Sequence, residues 1–224
     1  MNLYVLVEGR RTEKAIYRSW LCHCFPKLQV VDVPEGLRGN SLYIIHGGGY
    51  PQYEERIIDS LVDIRKHGEI QWFLICVDSE EMSREEKLTE LEELIDQELA
   101  FSGTRFVIQH CCIETWLLGN QKIFKRNPQS ARLRGFIKHF DVSQDDPELM
   151  PALPGYATRA QFHLEYLREV FRERNLAYTK SQPGSACEKP YFDELVRRCQ
   201  SRRHIPSFGA FLEILSELGL DRNP

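Results

Sequence analysis

No apolar run in this 224-residue chain approaches the roughly 20 residues that a bilayer-spanning helix needs. No signal-peptide pattern opens it either, because Glu8, Arg10 and Arg11 interrupt the first apolar stretch at once. The expectation is a cytoplasmic protein that does not enter a membrane. Internal repeats and low-complexity tracts are missing, and so is any Gly-Lys-Ser/Thr phosphate loop, which excludes a self-contained P-loop ATPase. The seven cysteines are odd in number and fall in expected strands and helices, so they read as reduced thiols rather than a disulfide framework. Paired CxxC motifs are also lacking, and Cys22-His23-Cys24 falls on an expected helix at a spacing that points its thiols apart, which argues against structural zinc.

What is present suits one sizeable core. Hydrophobic residues make up 42% of the chain, with three Trp, nine Tyr and twelve Phe. The net charge of −4 is unevenly spread: residues 1–120 hold 12 Lys and Arg against 20 Asp and Glu, and residues 121–224 hold 17 against 13. An acidic half beside a basic half fits a metal-holding part next to a phosphate-touching surface, although solvated helices produce the same asymmetry.

Four apolar runs lack alternation and read as parallel strands covered on both faces: Leu3–Val7, Leu42–His46, Trp72–Val77 and Arg105–Gln109. Val30–Val33 reads as a short edge strand. Helical periodicity marks Glu13–Cys24 behind a Thr12 cap, Tyr53–Lys66, and Glu85–Leu99 behind a Ser83/Glu86 capping box. After residue 120 only helical patterns continue, at Arg159–Arg174, Lys189–Gln200 and Ser207–Leu218, the last stopped by Gly219. The expected fold is α/β: a Rossmann-like parallel sheet over residues 1–120, flanked by helices, with a helical extension over residues 121–224. The stretch Asp145–Gly155 is the expected connection. Gly47-Gly48-Gly49 is either a phosphate-approaching turn or a flexible link.

Acids gather where these strands should end. Glu8 follows the first strand, and Asp78-Ser79-Glu80-Glu81 follows the third core strand; the carboxyl edge is the usual ligand crevice of open α/β sheets. If the two strands are neighbours, Glu8, Asp78 and Glu80 converge within reach of a hard cation, since residues i and i+2 leaving a strand point to one side. The competing reading is a set of acids favouring a helix start.

In motif order the chain resembles the Toprim domain of topoisomerases, bacterial primases and OLD-type nucleases. The likeness lies in Val7-Glu8-Gly9 after the first strand and Asp78-Ser79-Glu80 after a later one, and it covers about residues 1–110. Thr12-Glu13 looks more like the OLD-type and small stand-alone members, and Ile113-Glu114-Thr115-Trp116-Leu117-Leu118 is similar to a segment of that group. One departure is Glu80, where the family has aspartate. The resemblance implies Mg²⁺ (or Mn²⁺) as cofactor, Glu8 as metal ligand or general base, Asp78 as principal ligand and Glu80 as ligand to a second ion. Glu13 joins the metal site or is a first-turn helix acid, and Glu114 joins it or bridges locally. Lys180 is the cation that would stabilise a phosphorane-like transition state, or else an exposed loop lysine.

Two ions held about 4 Å apart by carboxylates support phosphodiester hydrolysis. The chain is small for a topoisomerase or primase, so a nuclease is the leading expectation, as the Toprim effector of a bacterial anti-phage defence system working with an ABC-type or AAA-like ATPase. The alternatives are an RNA-processing Toprim ribonuclease and a non-catalytic partner of an ATPase. Arg10 and Arg11 beside Glu8, and Arg197, Arg198, Arg202 and Arg203 near His204, are the expected contacts to DNA or RNA, with helix-terminus stabilisation as the plainer reading of the second group.

Overall fold

The apolar runs without alternation become the interior of one sheet. In the computed structural model, which describes residues 1–49, 51–95, 99–179 and 181–220, strands β1 (Asn2–Val7), β2 (Gln29–Val31), β3 (Ser41–His46), β4 (Trp72–Asp78) and β5 (Thr104–Gln109) pair in the order β2-β3-β1-β4-β5. Every pairing is parallel. Among the described residues eight α-helices accompany them: α1 (Thr12–Cys24), α2 (Gln52–His67), α3 (Arg84–Leu94), α4 (Ile113–Leu117), α5 (Ala131–His139), α6 (Arg159–Glu173), α7 (Lys189–Arg202) and α8 (Pro206–Glu217). No helix of the described residues is long and apolar enough to cross a membrane.

Alternation along each strand divides the core in two. Tyr4, Leu6, Phe73, Ile75 and Val77 face α2 and α3, whereas Leu3, Val5, Val7, Leu74 and Cys76 face α1 and the helices after residue 110. That second cluster runs without a break from the sheet to Leu218, so the expected helical extension shares the core of the α/β part. Its centre is aromatic. Phe208 of α8 meets Trp20, Trp116, Phe192 and Phe211 at centroid separations of 5.9, 5.2, 5.7 and 6.0 Å. Each such pair adds about 0.5–1.5 kcal/mol beyond the area it buries.

Several local expectations change. Ser83 and Glu86 do form the capping box that starts α3, but α3 ends at Leu94 rather than Leu99, and residues 96–98 lie outside those described. Thr12 is not the cap of α1: Arg11 holds that position without a side-chain hydrogen bond, and Thr12 lies inside the first turn, buried. The glycine turn after β3 is clasped to β1, with the Gly47 amide donating to the Val7 carbonyl and the Gly48 amide to that of Glu8. Those two amides are therefore committed to the turn and unavailable to a phosphate. A Cβ on Gly47 would lie 2.5 Å from that of Tyr53, so only glycine lets α2 start so close to the strand end.

Arg198 corrects the expected nucleic-acid surface. Its side chain is buried, and its guanidinium donates to the carbonyls of Leu118, Gly119, Val142 and Asp145 at 3.4, 3.2, 2.8 and 2.5 Å, while Nε reaches His204 Nδ1 at 3.2 Å. It ties α7 to the end of α4 and to the loop after α5. Arg202 and Arg203 are exposed, and Arg197 is exposed and bridges Glu194. Arg198→Ala should therefore lower stability by about 2–5 kcal/mol, since three buried carbonyls and the part-buried one of Asp145 lose their donor. Arg202→Ala should leave it within about 0.5 kcal/mol. Denaturant unfolding of the two variants checks the contrast.

Candidate metal site at the carboxyl edge of the sheet

The strand order makes β1 and β4 neighbours, and their connections leave in opposite directions, which opens a crevice at their carboxyl ends. Val7 pairs with Cys76, so Glu8 leaves β1 beside the end of β4, and the Asp78 amide donates to Glu8 Oε2 at 3.2 Å. β5 lies on the far side of β4, with Asp78 opposite Gln109, and the chain turns there through Cys111 and Cys112 into α4. Glu114 thus arrives at the same edge. Glu13, in the first turn of α1, folds back over Gly9: a Cβ there would lie 2.5 Å from Glu13 Oε1. Gly9, Arg10, Arg11, Thr12, Glu13, Asp78, Ile113 and Glu114 line one cleft of 230 Å³.

Burial makes this gathering costly. Glu13 is 7% exposed and Glu114 3%. Loss of solvent drives the Glu13 pKa from 4.5 up to about 8; the charges of Glu8 and Glu114 add to the rise, and backbone hydrogen bonds at Gly9 and Glu8 oppose it. Asp78 is pushed well above the usual carboxylate range, first by burial and then by Glu13, Glu8 and Glu114. Among the described residues Glu13 Oε2 and Asp78 Oδ1 are buried with no hydrogen-bond partner. Glu114 Oε1 accepts a hydrogen bond from Tyr178 at 2.9 Å, a contact that no spacing rule in the sequence indicates. Carboxylate oxygens gathered in one cleft, two of them unpartnered, fit a hard divalent cation such as Mg²⁺ or Mn²⁺.

Of the expected site residues, the structure brings together Glu8, Glu13, Asp78 and Glu114, with Arg10 and Arg11 on the lining. Glu80 does not join them. β4 ends at Asp78, Ser79 turns inward to His110 Nδ1 at 3.0 Å, and Glu80 adopts φ +52° with its side chain exposed. The i, i+2 rule holds only while the backbone stays extended, and here it has already turned. Lys180 lies outside the described residues. A neighbour that sequence reasoning missed is His46 at the end of β3, whose pKa is lowered by burial and then by the charges of Arg10 and Lys14, so positive charge borders the acidic cleft.

No match to this chain was found among protein-family models, curated proteins or solved structures.

A carboxyl whose folded-state pKa is raised favours the fold while it keeps its proton. Its contribution is full below pH 4.5 and is lost as pH rises through about 8. The melting temperature of the metal-free chain should fall across that window, and Glu13→Gln should flatten the fall. Mg²⁺ should stabilise the wild type most at the alkaline end, where the carboxylates are ionised. Thermal unfolding at stepped pH, with and without Mg²⁺, reads all three effects.

Proposed function

We propose that this chain is a divalent-cation-dependent nuclease of the cytoplasm that hydrolyses phosphodiester bonds. The observation that carries the reading is the pair of buried, unpartnered carboxylate oxygens, Glu13 Oε2 and Asp78 Oδ1, in a cleft that Glu114 completes and Glu8 adjoins. The order of Glu8 and Asp78 along the chain, which resembles Toprim domains, supports it. So does the positive rim, because a phosphodiester must approach acids that repel it. Arg10 and Arg11 would draw the phosphate to the cleft.

Mg²⁺ or Mn²⁺ bound by the carboxylates supplies the means to activate water and to stabilise charge on the phosphoryl oxygens. The protein's own contributions are separable. Glu13, Asp78 and Glu114 hold the oxygens in a nearly dry space. Glu8 stands at its margin, half-exposed, where a carboxylate can take a proton from a solvent molecule. Tyr178 orients Glu114 by donating to Oε1. Lys180, two residues on in sequence, is the cation that the resemblance offers for the transition state. Of the expected ligand set, Glu8, Glu13, Asp78 and Glu114 stay in this reading, and Glu80, exposed beyond the end of β4, drops out.

An anti-phage effector working with an ABC-type or AAA-like ATPase remains the biological setting we propose, on the Toprim resemblance.

Purified chain should cleave DNA or RNA in the presence of Mg²⁺ or Mn²⁺ and not in chelator. Asp78→Asn should lower the rate at least 100-fold, about the scale of losing one essential electrostatic group, while Glu80→Ala should change it less than about threefold. Unchanged cleavage by Asp78→Asn would sink the proposal. A matched panel of duplex DNA, single-stranded DNA and structured RNA identifies the substrate class.

A further inference from the structure

Directly behind the carboxylates lies a second group of donors with different chemistry. Cys111 and Cys112 occupy the turn from β5 into α4, and His163 comes from α6; all three are buried, with one ligand atom from each within 4.8 Å of the others. Adjacent side chains on a strand point to opposite faces, but this turn brings both thiols together. The Thr115 hydroxyl lies 3.6 Å from Cys112 Sγ and 2.7 Å from His163 Nδ1, and among the described residues His163 Nε2 has no hydrogen-bond partner. The two thiols form no disulfide, and the unpartnered imidazole nitrogen is a buried polar atom whose desolvation no hydrogen bond among the described residues offsets.

We infer that Cys111, Cys112 and His163 form a binding site for a soft or borderline divalent cation, zinc in the first instance, separate from the carboxylate cleft. Two sulfurs and an imidazole select such an ion over Mg²⁺, whereas the neighbouring carboxylates have the opposite preference. The spacing is near what zinc requires of three of its four ligands. Bonds of about 2.3 Å to sulfur and 2.0 Å to nitrogen set tetrahedral donors about 3.5–3.8 Å apart, so the present spacing needs a contraction of about 1 Å. The charge also balances. Each thiol releases its proton to solvent on binding, and a dication with two thiolates and a neutral imidazole carries no net charge, which suits a dry interior beside an acidic cleft. Thr115 is placed to steer the donors as an outer-shell group. Because Cys112 caps α4 and His163 lies on α6, the ion would clamp α6 to the short helix that carries Glu114.

The test uses the full chain refolded or expressed with one equivalent of Co²⁺ or Zn²⁺. Cobalt should give a thiolate-to-metal charge-transfer band that one equivalent of Zn²⁺ erases. X-ray absorption of the zinc form should show two sulfur neighbours. The band should survive Asp78→Asn, which disables the carboxylate cleft, and the Cys22→Ser/Cys24→Ser double variant. Cys112→Ser should lose more than the 10–100-fold in zinc affinity that outer-shell changes cause. An all-oxygen and nitrogen shell in the wild type, absence of the band, or a band undiminished in Cys112→Ser would each overturn the inference. The absorption measurement needs no variant, so a failure of Cys112→Ser to fold leaves the outcome decided, and the result is independent of whether the chain cleaves nucleic acid.

Discussion

Burial of Glu13 and Asp78 at the carboxyl edge, with the neighbouring charges of Glu8 and Glu114 added to it, is the constraint on which this end of the molecule depends. Two like charges about 4 Å apart repel by roughly 4 kcal/mol at the effective dielectric of a protein margin, and a stable domain has only about 5–15 kcal/mol to spare. Burial next to other carboxylates therefore disfavours the charged forms of Glu13 and Asp78. Burial shifts Glu13 and Asp78 toward their protonated forms, backbone hydrogen bonds at Gly9 and Glu8 moderate the shift of Glu13, and the Tyr178 hydroxyl donates to Glu114. Under the proposed function, a bound cation would replace protons as the neutralising charge.

The helices after residue 110 work toward the same end. α4 is only five residues long, too short to be stable alone. It is held by what surrounds it: Trp116 Nε1 donates to Ser207 Oγ at 2.6 Å, Ser207 donates to Glu148 at 2.6 Å, Thr115 meets His163, and Arg198 takes the carbonyls beyond its end. Glu148 accepts the Ser207 amide as well, so one buried carboxylate starts α8 and steadies the Trp116 side chain. Glu114 is thus positioned by the carboxyl-terminal half of the chain, although it follows the last strand of the sheet. The proposed soft-cation site sits in the same seam.

Much of the fold was legible because its signals are local. Five strands fall where apolar runs or β-branched residues end at turns, and α2, α6, α7 and α8 follow the helical period within a residue or two. Ala131–His139 was not foreseen, since its apolar positions are few and its cap, Ser130, resembles any loop serine. The arginines show the limit more sharply. Arg197, Arg198, Arg202 and Arg203 look alike in a basic run, yet one lies in the core and three meet solvent; helix phase against a partner that begins 80 residues earlier makes the difference.

Glu8, Asp78 and the apolar strands before them belong to the sequence itself: a run that must be buried on both faces expels its acid to the end, wherever the strand lies in the sheet. The neighbours of those acids were decided only by tertiary structure. Strand order set β1 against β4, a left-handed residue turned Glu80 outward, Gly9 let Glu13 fold into the cleft, and packing of α6 against α4 joined His163 to Cys111 and Cys112. Each of these depends on backbone direction and on contacts between residues far apart in the chain, which periodicity along a single segment does not record.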